Sequence, residues 1–371
     1  MIRKSLYWSG LLILLVVFLS AEVRNADKPE RGEWDFELTK EWEIENAGSE
    51  VFGKPYRLLA SDEGYLYVYD EANRTNYIFD QEGTFIKAYG EKGQGPGEVR
   101  MQSASFLVDD KLVVADAARI HYFELDGTYI RSEINSVYRR RPVVFLNEHE
   151  FVAVPLGIFE ASDGRAQITR INLESGQETV IADFTIFMGG IGRAGRMVGS
   201  IIVPGLTPLM VVGHGNNRLY YGMSDSYKIH VTDLNGKLLD TFMLGRKKKK
   251  VPDQVKRKYF ERYRDMNRQA LTKIIETTPN EATFFSRIEI HNGLVYVFVA
   301  DVSRLNHQQI DIFSAGGKYL YRAVLSIEDS LIMMEPQLFN PLIKDNFLYI
   351  AVMDDKDKVK IIKYKISLPC L

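Results

Sequence analysis

After residue 50 the chain repeats one pattern six times. "LYVYDEANRTNYIFDQEGTFIKAYG" (66–90) matches "LVVADAARIHYFELDGTYIRSEI" (112–134) step for step. Each has an apolar strand ending in Asp, a polar turn, an alternating strand, a turn with Gly and a third strand. "FVAVPLGIFEASDGRAQITRINLESGQETVIADF" (151–184), "LYYGMSDSYKIHVTDLNGKLLDTFML" (219–244) and "VYVFVADVSRLNHQQIDIFSAGGKYLYRAVL" (295–325) keep that order. The sixth copy, "LYIAVMDDKDKVKIIKYKISL" (348–368), stops after two strands. A short apolar segment precedes every copy, from "PYRLLA" to "PLIKD", which makes four strands per unit. Four-stranded units recurring at about 40–50 residues predict a β-propeller, because one sheet cannot bury both of its faces alone.

The incomplete sixth unit constrains the chain's start. An unpaired outer edge in a closed ring presents bare amides and carbonyls. The segment "WDFELTKEWEI" (34–44) places Phe36, Leu38, Trp42 and Ile44 at mostly alternate positions and has no other partner. The expectation is therefore an all-β, six-bladed β-propeller over 34–371. Residues 34–44 would form the fourth strand of the last blade, and one helical insertion (245–283) would separate blades 4 and 5.

Before that body, Arg3 and Lys4 precede an apolar run from Leu6 to Leu19. This reads as a signal peptide or N-terminal anchor over 1–26, so the protein is expected to be exported: periplasmic, extracellular or tethered by an uncleaved segment. Cys370 is the one cysteine, so neither a disulfide framework nor a CxxC metal site is available. With 47 Lys and Arg against 49 Asp and Glu, bulk charge does not argue for nucleic acid, and an exported protein is a poor candidate for it.

The stretch "GEKGQGPGEV" (90–99) is glycine-rich enough to suggest a phosphate cradle. No helix follows it, and neither GxGxxG nor the Walker spacing is present, so it is expected to connect blades 1 and 2. With "SASFLVDDKLVVADAARIHYFELDGTYIRSEI" (103–134) it resembles an NHL repeat. The chain is similar to the exported six-bladed propeller proteins of Bacteroidota. It departs from that pattern at Val99, where Phe is usual, and at Gln102, where Pro is usual. The resemblance implies the fold; function on such a scaffold varies.

Loop lengths are uneven. The connectors 184–207 and 244–283 and the loop 155–166 all leave one end of the ring, and long loops in a compact fold usually carry function. The 244–283 insertion reads as a basic amphipathic helix, with Val255, Tyr259, Tyr263, Met266, Ala270 and Ile274 on one stripe. Residues 246–268 hold eleven Lys or Arg against three Asp or Glu. Ligand-binding candidates on this end are Arg139, Arg140, Arg193, Arg196, Lys247, Lys248, Lys249, Lys250, Asp301, Arg304 and His307. Guanidinium and ammonium groups on such loops suit carboxylate, phosphate or sulfate.

Catalytic groups do not assemble from sequence. The six histidines scatter over both ends, and the strand-end aspartates Asp70, Asp116, Asp225, Asp301 and Asp354 suit turn capping. No catalytic residue, metal ligand or cofactor is assigned; calcium is the ion left open. The reading is a binding or scaffold module that holds an extracytoplasmic ligand or partner protein, with an anionic glycan or membrane surface as the charge-matched options. The alternative is a metal-assisted hydrolase or lyase of the NHL or strictosidine-synthase-like propeller type.

Overall fold

The computed structural model describes residues 21–369, apart from 117, 135–139, 156–164, 186–204, 262–267, 301–306, 328–340, 355 and 357. The described residues form six blades in sequence order, each antiparallel through its own strands, with a short hairpin of Asn46–Ala47 and Glu50–Val51 before the first. Blade 1 runs Pro55–Ala60, Leu66–Asp70, Thr75–Phe79 and Phe85–Tyr89. Blades 2 to 5 repeat it from Gln102–Val108, Arg140–Asn147, Met210–Gly215 and Phe285–His291. Blade 6 contributes Leu342–Lys344, Phe347–Met353 and Val359–Lys365.

Local chemistry explains the repetition. The hairpins between first and second strands need left-handed residues, and Asp109–Asp110, Asn216–Asn217 and Asn292–Gly293 all have positive φ. Second strands such as Leu66–Asp70 and Leu294–Val299 are buried throughout, because a neighbouring blade covers each face. Apolar clusters accordingly bridge consecutive blades. Val68 and Phe79 of blade 1 pack with Tyr349 and Ile350 of blade 6, and Phe242 of blade 4 with Phe313 of blade 5. Near the axis the approach is close enough to require glycine: a Cβ on Gly213 would lie 2.5 Å from the Ile288 carbonyl of the next blade.

The N-terminal segment follows the outer rim. Ala21–Ala26 pairs in parallel with Leu238–Gly245 of blade 4, and Glu33–Trp34 in parallel with Tyr319–Ser326 of blade 5. Thr39–Ile44 then pairs antiparallel with Val359–Lys365 as the fourth strand of blade 6. Two readings from sequence change. Residues 21–26, grouped with the leader, form a strand; and 34–44 divides, with Trp34 on blade 5 and only Thr39–Ile44 on blade 6. The cause is a turn at Asp35–Glu37, where Asp35 Oδ1 accepts the Glu37 amide at 3.0 Å and Glu37 has φ 51°.

The blade 6 seam is held by aromatic and polar contacts together. Trp42 Nε1 donates to the Gln81 carbonyl of blade 1 at 2.9 Å, and Lys363 Nζ donates to the same oxygen at 3.2 Å. That ammonium sits 4.3 Å from the Phe347 ring centre and 5.8 Å from the Trp42 ring, where each ring's negative face offsets the loss of water.

The insertion between blades 4 and 5 holds two helices, α1 (Asp253–Glu261) and α2 (Arg268–Thr277). Phe260 and Lys256 are buried on α1. Lys256 Nζ donates to the Thr278 carbonyl at 2.8 Å and to Asn280 Oδ1 at 2.6 Å, and burial lowers its pKa. The stripe side chains expected from periodicity lie outside the described ones. Among the described residues, no helix is long and apolar enough to cross a membrane.

Candidate functional site

The end of the ring with the long connectors is organised around blade 4. The insertion is pinned at its base by paired backbone: Val251 N donates to Asn280 O and Ala282 N to Lys249 O, both at 2.8 Å. From there Thr283 N donates to Gly205 O at 2.8 Å. Gly205 ends the 184–207 connector, so the two longest connectors meet. Ser224, in the turn after the second strand of blade 4, ties both down. Its carbonyl accepts from Phe284 N at 2.7 Å, and its hydroxyl accepts from Leu209 N at 2.9 Å.

Lys247, Lys248, Lys249 and Lys250 are exposed beside this junction. His307 opens the third strand of blade 5 and is partly exposed. Arg140 opens the first strand of blade 3. Arg139, Arg193, Arg196, Asp301 and Arg304 lie outside the described residues, as does the side chain of Arg140.

Arg246, which begins the basic run, turns inward. Its Nη1 donates to Asp311 Oδ2 at 2.7 Å, and its Nη2 to Asp27 Oδ1 at 2.7 Å. Asp311 is fully buried and also accepts the Tyr227 hydroxyl at 2.6 Å and the Tyr319 hydroxyl at 2.7 Å. Asp27 takes a second guanidinium, Arg322 Nη2, at 2.7 Å. Burial disfavours the Arg246 charge, but Asp27 and Asp311 overcome that and raise its pKa. Burial, then the Asp311 charge, pushes both phenols up. The network joins blade 4, blade 5 and the N-terminal segment. Sequence reasoning missed it because its members stand far apart in the chain.

Three of the strand-end aspartates, Asp70, Asp116 and Asp354, behave as caps. Asp70 accepts the amides of Gly53, Lys54, Ala72 and Asn73 at 2.8 to 3.1 Å. Asp116 accepts those of Arg100, Ala118 and Arg119, and His121 Nε2 lies 3.3 Å from its Oδ2. Burial pulls the Asp116 carboxyl up, but His121 and the amides prevail and hold it at about 2. Asp354 accepts the Lys356 and Lys358 amides. Asp225 is exposed, and Ser224 beside it makes the tying contacts instead. Among the described residues, no three His, Cys, Asp or Glu side chains converge on a metal-sized site.

The 90–99 loop answers its own glycine signal. Glu98 Oε2 accepts the Gln94 amide at 2.8 Å and the Gly95 amide at 2.7 Å. The amides that would cradle a phosphate thus hold a carboxylate from the same loop. A Cβ on Gly93 would come within 1.9 Å of that oxygen, so any side chain there would displace the Glu98 carboxylate.

The fold is that of the six-bladed β-propellers. A family model described as "6-bladed beta-propeller" (DUF5128) matches residues 45–151. Similar solved structures include one from Bacteroides fragilis, named as an exported protein. It is 13% identical, with 94% of this chain and 100% of that one covered at a TM-score of 0.55. Another, a member of the DUF4221 family from Bacteroides vulgatus, is 11% identical, with coverage of 90% and 99% and a TM-score of 0.53. At such identities the likeness concerns the fold. No curated protein matches the chain.

Proposed function

We propose that this chain is an exported binding module whose ring is clasped by its own N-terminal segment and whose ligand face is the connector end over blades 4 and 5. The observation that carries the reading is the junction of the two longest connectors at Thr283 and Gly205, with four exposed lysines beside it. Rigid sheets below and long connectors above are the usual division between scaffold and recognition surface. The charge there favours a polyanionic surface, an acidic glycan or an anionic membrane. Export is supported by the basic-then-apolar start and by the exported name of a protein with the same fold.

The test replaces Lys247–Lys250 by Gln and measures binding to a sulfated glycan and to vesicles containing phosphatidylglycerol at two ionic strengths. Exposed charges are screened within ~10 Å at 0.1 M salt, so binding should weaken with salt and fall further in the variant. Salt-insensitive binding, no binding to either probe, or equal binding by the variant removes the lysines from the ligand face.

A further inference from the structure

Ala21–Ala26 runs in a fixed direction along the outer edge of blade 4. Its pairing with Leu238–Gly245 is parallel, with Ala26 opposite Gly245 and Ala21 opposite Asp240. Gly245 leads into the 246–284 connector, so Ala26 lies toward the connector end and Ala21 toward the other end of the ring. Only Leu238 and Leu239 of the blade 4 strand remain beyond Asp240. The chain that precedes Ala21 therefore leaves the ring at the end opposite the connectors. Side-chain bonds fix this strand. Asn25 Nδ2 donates to the Met243 carbonyl at 3.1 Å and to the Gly317 carbonyl at 2.9 Å, and its Oδ1 accepts the Tyr319 amide at 2.9 Å.

The sequence before the strand is apolar and close to it. The run from Leu6 ends at Leu19, which leaves Ser20 alone between that run and the strand. From Ser5 to Ala21 no residue is charged, a stretch of 17 at the lower limit for crossing a bilayer. A cleaved leader has small residues at the cut and two positions before it. No position from Ser20 to Ala26 meets that pattern: Ser20 has Phe18 two positions before it, Ala21 has Leu19 and Ala26 has Arg24. The ring also presents an apolar corner where the chain leaves. Leu238 and Val180 are 42% and 46% exposed. They are neighbours, because the turn at Gly236 lies against Val180: a Cβ there would be 3.3 Å from the Val180 carbonyl oxygen.

We propose that the N-terminal apolar segment is kept as a membrane anchor and that the ring stands on the end opposite its connectors, with Leu238 and Val180 against the bilayer surface. A single linking residue reaches only about 3.5 Å, so the ring has no slack in which to turn over. The blade 4 strand Leu238–Gly245 spans roughly 25 Å, which sets Lys247–Lys250 that far from the surface. Exposed charges are screened within ~10 Å at 0.1 M salt, so these lysines do not hold the membrane that anchors the chain. On the reading of the connector end as the ligand face, its polyanion is then an acidic glycan presented from the far side.

The experiment uses the full chain, with Cys370→Ser and one new cysteine, reconstituted in phosphatidylcholine vesicles whose headgroups carry a nitroxide quencher. Gln177→Cys places a fluorophore at the end opposite the connectors and Met101→Cys places one at the connector end; both positions are exposed. The connector end also exposes Val51 and Ile134, so a ring docked by that end is the competing outcome. Intact mass should show residues 5–20 retained, and the protein should resist carbonate extraction. Quenching should be at least about twofold stronger at 177 than at 101, given a separation of roughly one strand length. A Gly-Ser linker of about twenty residues inserted between Ser20 and Ala21 should keep the protein attached and bring the two positions to parity. A mature chain that begins at or after Ala21 overturns the anchor. Equal quenching in the parent, or stronger quenching at 101, overturns the orientation, and a difference that survives the linker overturns the short tether as its cause. Quenching is read without ligand, so a failure of glycan binding at the lysines leaves the orientation standing.

Discussion

Asp311 and Asp27 share Arg246, yet removing them should have very different consequences. Asp311 is 0% exposed, and Arg246, at 10%, has little access to water. Asp311→Ala leaves a buried guanidinium facing two phenols and one remaining carboxylate. Breaking a buried, hydrogen-bonded ion pair from one side costs about 3–5 kcal/mol. The Tyr227 and Tyr319 hydroxyls lose their acceptor as well, which places the variant toward the upper end of that range. Asp27 is 38% exposed, and water can replace it, so Asp27→Ala should cost about 1 kcal/mol or less. Urea unfolding followed by circular dichroism, with the slope held common to all variants, reads both differences. Adding Arg246→Met to Asp311→Leu should recover part of the loss, because no charge is then stranded. If Asp311→Ala costs no more than Asp27→Ala, the network is a surface feature and its role in joining blades 4 and 5 is wrong.

Other outcomes follow from the same geometry. A folded-state pKa of about 2 for Asp116, below the ordinary aspartate value of 3.8, means that its stabilisation is complete above about pH 4 and disappears as pH falls toward 2. The loss is about 2 kcal/mol, and Asp116→Asn should flatten stability across that window; an unchanged acid limb would contradict the assignment. In a chain beginning at Ala21, Trp34 and Trp42 are the only tryptophans, and both lie on the rim segment. Their fluorescence should therefore change in the same urea transition as the circular dichroism of the ring, whereas an earlier fluorescence transition would show the clasp to be detachable. Deleting residues 21–44 should sharply lower solubility by baring the outer edge of blade 6; a deletion variant as soluble and stable as the parent removes the clasp. Glu98→Ala strips two amides of their acceptor in the 90–99 loop and should speed hydrogen exchange at Gln94 and Gly95, while unchanged exchange would leave Glu98 without that role.

The propeller is legible in the sequence because its signals are local. Alternating apolar residues, hairpin turns such as Asn216–Asn217 and strand-end aspartates recur in most copies, and each can be read within about ten residues. Long-range pairing is less legible. Nothing near Asp27 announces Arg322, and Arg246 looks like the first of five equivalent cations. It differs because the last strand of blade 4 ends at Gly245, so the next side chain still faces the blade 5 interface while Lys247 onward leaves it. On α1 the periodic stripe passes over Lys256, whose charge argues for exposure. In the fold its ammonium is satisfied by Thr278 and Asn280. Most of the candidate ligand residues sit on the connectors, where sequence has no repeat to align them.

The location of the ligand face is tested most directly by hydrogen exchange of the intact protein with and without a sulfated glycan. Protection is predicted at 205–209, 246–252 and 278–284, where the two connectors meet. Protection confined to the hairpins at 109–110, 216–217 and 292–293, at the opposite end of the ring, would contradict the account.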